Sequence, residues 1–455
     1  MDDKITNLLD VEQWKLTPYQ VLVLGFASLI VGGALLLMTP MASAAGQSLS
    51  LIDALFTATS AVCVTGLVVV DTGTYFSLFG QLVIIGLIQA GGLGIMAMST
   101  LMAIIIRKKI NFRQRLIMQE ALNQITVSGV VRLTQYIIKV TLLIEFIGGT
   151  ILAIRWYQDF GVKGVYFGYW HAISSFCNAG FDLMGSVTGK FSSATAYVDD
   201  IVVNLVISLL IILGGIGFTV ISELWTVRRF DRLSLHSKVV ITTTLVLISF
   251  GAIVIFLLEY NNLNTLAGLS LQGKLLASYF QSVTTRTAGW NTIDLSKLTD
   301  ATLFFMVILM FIGASPTSTG GGIKTSTAGV LAAAIWNLIR GRQDAEMFER
   351  RISQTIIYKA FSVMLISALL VIFITMMLSI TEKQPFINLL FEATSAFGTV
   401  GLTTGITSSL TTSGKIWIII TMFAGRVGPV TLALALALKT RKGNVQYPEG
   451  KLIIG

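Results

Sequence analysis

The feature that most constrains this chain is a succession of long apolar runs with almost no charge inside them. They lie near residues 17–38, 76–106, 133–154, 200–222, 238–258, 301–340, 358–380 and 415–438. A helix needs roughly 20 apolar residues to cross a bilayer, so each run is long enough to span. Five of the eight have no charged residue at their centre; the third holds Lys139 and Glu145, the sixth holds Lys324, and the eighth holds Arg426. Only 12% of the 455 residues are charged, against about 25% in a soluble domain. That deficit excludes a cytosolic enzyme, a disordered protein and a secreted disulfide scaffold, and the two cysteines, Cys63 and Cys177, could form no disulfide framework.

Lys and Arg collect in alternate gaps: Arg107, Lys108, Lys109, Arg113, Arg115 and Arg132; Arg228, Arg229, Arg232 and Lys238; Arg340, Arg342, Arg350, Arg351 and Lys359; and the tail, Lys439, Arg441 and Lys442. The positive-inside rule then puts both termini in the cytoplasm of a multi-pass plasma (inner) membrane protein. The +9 formal charge is read as topology, not as a nucleic-acid surface. Residues 1–16 carry four acidic groups and do not form a basic, then apolar, signal peptide.

The other gaps each hold a short apolar segment of about 12 residues, which suits a re-entrant segment. Aligned at their ends, these segments give four related strings: Ala58–Leu67, Ala172–Phe181, Gln281–Trp290 and Ala393–Leu402. Their glycines, Gly66, Gly180, Gly289 and Gly401, stand 114, 109 and 112 residues apart. A second register follows in the next helix: Gly91-Gly92, Gly214-Gly215, Gly313-Ala314 and Gly425-Arg426. The expected fold is an all-α integral membrane protein of four tandem helix–pore-loop–helix repeats in one chain. Eight spanning helices and four re-entrant pore helices would stand in pseudo-fourfold symmetry around a central pore. The repeats fall at 17–115, 116–229, 230–345 and 346–440, between a cytoplasmic N-terminus (1–16) and a cytoplasmic tail (441–455).

Irregular backbone survives at membrane depth only where it lines a wet cavity or is buried in protein. An extended strand there aims carbonyls at an axis, and four such strands replace an ion's hydration shell. Glycine lets the carbonyls turn inward without a Cβ clash. With these residues the chain resembles the Trk/Ktr/HKT superfamily of potassium transporters, from about residue 17 to 440, and most resembles the membrane subunit of bacterial Ktr systems. The resemblance implies a selectivity filter of Val62, Cys63, Val64, Thr65 and Gly66; Phe176, Cys177, Asn178, Ala179 and Gly180; Thr285, Arg286, Thr287, Ala288 and Gly289; and Phe397, Gly398, Thr399, Val400 and Gly401. K+ would sit at the filter carbonyls. Some family members carry serine at the first glycine and favour sodium, so Gly66 implies potassium.

The sixth run is interrupted by Gly313, Ala314, Ser315, Pro316, Thr317, Ser318, Thr319, Gly320, Gly321, Gly322, Ile323 and Lys324. Proline and glycine weaken a helix, so unwinding is expected. The resemblance implies that this stretch is an intramembrane gate and that Arg426 holds it through loop carbonyls. The bland alternatives are a kinked helix and a structural arginine. A phosphate-binding loop is rejected, because Ile323, not glycine, precedes Lys324. Lys139 and Glu145 do not share a helix face, Arg286 should point away from the axis toward an outer-face partner, and His171 and His236 form no metal pattern. No catalytic spacing is present. The reading is passive potassium uptake by a channel-like transporter, with an alternating-access cation carrier as the alternative. The resemblance further implies a homodimer on a cytosolic ring of RCK-type nucleotide-binding subunits docked at the basic loops. Nucleotide would then act only through that partner, with Na+ as a candidate activator.

Overall fold

The computed structural model describes residues 17–94, 115–117, 119, 130–342 and 344–436. The N-terminal segment, the basic residues Arg107, Lys108, Lys109 and Arg113, and the tail lie outside the described residues. Helix α1 (Pro18–Leu37) begins where Thr17 and Gln20 satisfy each other's backbone N–H groups and Pro18 stands in the first turn. A long helix, a short one and a third, here called middle-length (16 residues in three sets and 12 in the other), then recur in order. They are α1, α2 (Leu51–Cys63) and α3 (Leu78–Leu93); α4 (Val130–Phe160), α5 (Val162–Phe176) and α6 (Ile201–Ile216), the last followed by α7 (Phe218–Val227). Next come α8 (Leu235–Glu259), α9 (Leu271–Thr284) and α10 (Asp300–Phe311), followed by α11 (Thr325–Ile339). Last are α12 (Gln354–Thr381), α13 (Phe386–Gly398) and α14 (Thr412–Val427), followed by α15 (Pro429–Leu436). A two-residue antiparallel hairpin, β1 (Glu346–Met347) and β2 (Arg350–Arg351), occupies one of the basic gaps.

Burial separates these classes. Helices α2, α5 and α13 are buried along their C-terminal halves, including the polar Thr57, Thr59, Ser60, Ser174 and Ser175. The long helices keep Val31, Leu35, Leu142, Ile154, Leu245, Ile372 and Ile380 on the surface. An apolar exterior around a polar-containing centre fits a chain solvated by lipid.

Two features bear on the expected spans. Among the described residues four helices are long and apolar enough to cross a membrane, α1, α4, α8 and α12, or five if the α6–α7 pair, bent by 98°, counts as one span. The sixth run is also not the one broken run. Helices α3, α6 and α14 all stop at a glycine with positive φ: Gly94 (+84°), Gly217 (+97°) and Gly428 (+91°). Each stands two residues after the second member of a small-residue pair, the register that Pro316 holds in the sixth run. A left-handed φ cannot continue a right-handed helix.

One end of every long helix is tied to the start of the next middle-length helix. Glu259 accepts from the backbone and hydroxyl of Thr299, the N-cap of α10, at 3.0 and 2.8 Å. Glu382 does the same for Thr411, the N-cap of α14. Arg155 pairs with Asp200, the N-cap of α6, at 2.6 Å, and the Ser77 hydroxyl at the start of α3 donates to Met41 O at 2.5 Å. These ties fix the long helix of each set against the start of its middle-length helix.

Candidate functional site

The four aligned glycines meet at one place. All have positive φ: Gly66 +95°, Gly180 +69°, Gly289 +74° and Gly401 +87°. A Cβ on Gly66 would lie 2.6 Å from Ala179 O, on Gly180 2.9 Å from Ala288 O, and on Gly289 2.7 Å from Val400 O. A Cβ on Gly401 would collide with Thr65 O, which closes the circle. The Cα atoms follow the same order, Gly66 by Gly180, Gly180 by Gly289, Gly289 by Gly401 and Gly401 by Gly66. Sequence neighbours are therefore neighbours in the ring, and segments one and three face each other across it, as do two and four.

A second shared feature lies two residues before each glycine. Val64, Asn178, Thr287 and Thr399 all have left-handed φ, of 58°, 59°, 71° and 49°. Such a conformation is tolerated by Asn but costly for Val and Thr, so packing must impose it at those three positions. In α2 and α13 this residue ends the helix: Thr65 N–H returns to Ser60 O at 2.8 Å, and Val400 N–H to Ser395 O at 2.8 Å. The short helices thus point their C-termini at the ring, where helix dipoles favour cations.

The small-residue pairs explain how the segments fit. A Cβ on Gly91, Gly214 or Gly425 would overlap the carbonyl oxygen of Val62, Phe176 or Phe397 respectively. Each is the oxygen four residues before a ring glycine, so glycine in the middle-length helix lets that backbone approach.

Taking the side of residues after the glycines as above, the interrupted sixth run lies below. It folds back on itself, with Gly313 N–H on Ile323 O at 2.8 Å and Ala314 N–H on Gly321 O at 3.2 Å. Ser315 N–H reaches Gly215 O at 2.9 Å, and the Thr319 hydroxyl reaches Gly214 O and Phe176 O. Gly321 N–H donates to the Thr399 hydroxyl at 2.9 Å, and a Cβ on Gly320 would strike the Thr287 hydroxyl. Asn178 and Thr287 hydrogen-bond each other at 3.2 Å. The loop therefore lies against the underside of the left-handed residues. Arg426 donates to Thr319 O and to Gly91 O, and to Gly92 O at 3.3 Å. Lys324 Nζ donates to Gly320 O at 2.8 Å. One cavity of about 300 Å³ touches Gly320, Lys324 and Arg426; another of about 260 Å³ touches Gly289, Gly401 and Thr403. Ring and loop lie between them.

Not every candidate residue faces this site. Gly398 packs under Met310 O, and Val62, Cys63, Phe176 and Phe397 sit in the last turns of their helices. Cys177 turns outward, its thiol donating to Gln89 Oε1 at 3.3 Å and to Glu145 at 3.8 Å. Glu145 is thereby buried while Lys139 is exposed. Arg286 is buried, its Nε has no hydrogen-bond partner, and among the described residues it forms no ion pair. Among the described residues, then, no acidic group serves as the outer-face partner expected for Arg286. Above the ring, burial and the Asp71 carboxylate push Asp182 up to about 7. The left-handed residues are hard to find in the sequence, because only Asn178 is of a type that favours that conformation; their register against the glycines is the available signal.

The family model for TrkH, described as a cation transport protein, matches residues 11–446. The chain is 46% identical over 447 residues to the Ktr system potassium uptake protein B of Bacillus subtilis, covering 98% of each. It is 40% identical over 448 residues to the potassium/sodium uptake protein NtpJ of Enterococcus hirae, covering 97% of this chain and 98% of that one. The crystal structure of the potassium transporter TrkH from Vibrio parahaemolyticus has a similar fold, with a TM-score of 0.74 at 17% identity over 94% of this chain and 86% of that chain.

Proposed function

This chain belongs to the TrkH family of cation transport proteins, and on that premise we propose that it takes up potassium across a bilayer through a path on the axis of the glycine ring. The ring is a selectivity filter, and each of its four sides is one helix–pore-loop–helix repeat. The observation that carries this reading is the closed circle of Gly66, Gly180, Gly289 and Gly401, each touching the carbonyl before the next.

Neutral carbonyl oxygens replace the hydration shell of a monovalent cation, and four converging helix C-termini lower its energy there. The membrane potential supplies about 2.3 kcal/mol per charge per 100 mV, so no coupled energy source is needed for entry. The loop 313–324 is the gate. Its polar backbone lies under the ring, and Arg426 pins it to α3 through Thr319, Gly91 and Gly92. Lys324 places a second basic group beneath the filter.

The distribution of Lys and Arg supports cytoplasmic termini and eight crossings. A homodimer resting on a nucleotide-binding ring remains part of the proposal. It is supported by the "Ktr system" in the name of the Bacillus subtilis relative and by the basic loops, of which 340–359 includes the hairpin. Sodium as an activator belongs with it.

Purified chain in liposomes should pass potassium in preference to sodium, and Gly66→Ser should shift flux toward sodium. Absence of cation flux both from wild type and from a chain shortened within 313–322 would overturn the proposal.

A further inference from the structure

His171 has no role in the proposal above, yet it occupies a defined place in each register. It stands nine residues before Gly180, on α5, and it is fully buried. Its Nδ1 lies 2.7 Å from Phe167 O, one turn back on the same helix. Its Nε2 lies 2.9 Å from Leu183 N, three residues after the ring glycine. A carbonyl can only accept and an amide N–H can only donate. The ring is therefore neutral, with its proton on Nδ1 and a free lone pair on Nε2. Trp156, Trp170 and Trp290 enclose it, with centroids 5.0, 5.5 and 5.2 Å away, and Trp290 directly follows the third ring glycine.

The matching position of the fourth segment, nine before Gly401, is Glu392. It is buried on α13, and its carboxylate accepts from the hydroxyls of Thr403 at 2.7 Å and Thr407 at 2.5 Å. The chemistry differs and the span is the same: a short helix reaches past its glycine and holds the chain beyond it. The matching residues of segments one and three make no such link. Thr57 donates to Asp53 O on its own helix, and Phe280 has no polar atom.

We infer that His171 and Glu392 are positioning residues that bolt the far ends of glycine segments two and four to their own short helices, and that this pair of bolts on opposite sides of the ring sustains its discrimination between potassium and sodium. The inference rests on the proposed filter. Carbonyl spacing decides which cation is held, and a strand anchored only at its helix end is free to relax around a smaller ion. Segments one and three lack this bolt and take their shape from two fixed neighbours.

The test is thermal protection of the purified full chain in detergent by KCl and by NaCl, with choline chloride as reference, read as the ratio of apparent affinities. His171→Asn keeps the Nδ1-side donor and loses the acceptor for Leu183; His171→Gln carries an acceptor to the Nε2 position. Losing that buried bond should reduce the ratio about tenfold in His171→Asn and in Glu392→Leu, while His171→Gln retains it. The Thr403→Val, Thr407→Val double variant tests the second bolt from its other side should Glu392→Leu fail to fold. A merely structural role would lower the melting temperature equally in both salts and leave the ratio unchanged. An unchanged ratio in folded variants, or a ratio in His171→Gln as low as in His171→Asn, overturns the inference and leaves the filter standing. A wild type that both salts protect equally overturns the filter and the inference together.

Discussion

At the residue scale, the site is built from backbone conformations that most side chains resist. Gly66 and its three counterparts tolerate no Cβ, because the neighbouring segment's carbonyl occupies that space. A serine at Gly66 would have to displace Ala179 O, so its effect on ion preference would come through the neighbouring strand as well as its own. Arg426 is the one charged residue in its register; Gly92, Gly215 and Ala314 hold the matching places. Its guanidinium donates to carbonyls of the loop and of α3, which stabilises a folded-back loop made mostly of small residues. Arg426→Ala should therefore raise potassium flux into liposomes at equal protein loading, by at least about tenfold, since the loss of one charged hydrogen bond of about 1.5 kcal/mol already amounts to that factor. Arg426→Lys should fall between the two, since an ammonium lacks the fork that reaches two elements at once.

At the element scale, the short helices depend on what packs behind and beside them. Gly214 of α6 lies against Phe176 O with no room for a methyl group. Gly214→Ala should push α6 from α5, reduce the yield of folded protein and lower its melting temperature, an overpacking cost of roughly 1–3 kcal/mol or more. Gly86, where an added Cβ would meet nothing within 4 Å, is the control for glycine-to-alanine change in a middle-length helix. The ties at the helix ends act over a longer distance. Glu382 accepts from both the N–H and the hydroxyl of Thr411, so Glu382→Ala leaves the start of α14 without its acceptor. The expected loss is about 1–3 kcal/mol of stability, measured as a lower midpoint of thermal unfolding in detergent.

At the scale of the whole molecule, the circle has to be closed by contacts between the two ends of the chain. Helix α14 packs on α2, and Lys415 of α14 forms an ion pair with Asp53 of α2 at 2.7 Å. Gln20 at the start of α1 also donates to Ala435 O in α15. Both members of the ion pair are largely shielded from solvent, so a double-mutant cycle on Lys415→Ala and Asp53→Ala should give a coupling of about 1 kcal/mol, at the upper end of the range for such pairs. A coupling near zero would mean that apolar packing alone closes the ring.

Much of this is legible in the sequence. Apolar length identifies a membrane chain, because a bilayer solvates only segments that satisfy their own backbone. The even spacing of Gly66, Gly180, Gly289 and Gly401 marks the units, and the second glycine register marks where helices approach, because both are local requirements for the absence of a side chain. Gly94, Gly217 and Gly428 do not read as breaks, because an isolated glycine in an apolar run is compatible with a continuous helix; tertiary packing decides whether it takes a positive φ. The left-handed Val64, Thr287 and Thr399 are invisible for the same reason, since their own preferences oppose the conformation they adopt. The partners of Arg426 across the loop and α3, the outward turn of Cys177, and the reach of His171 to Leu183 are likewise decisions of the folded molecule. The sequence by itself determined the solvent and the sites without a Cβ, which are properties of single residues and their spacing. Only the tertiary structure decided which carbonyl faces which glycine, because that depends on four distant segments meeting at one point.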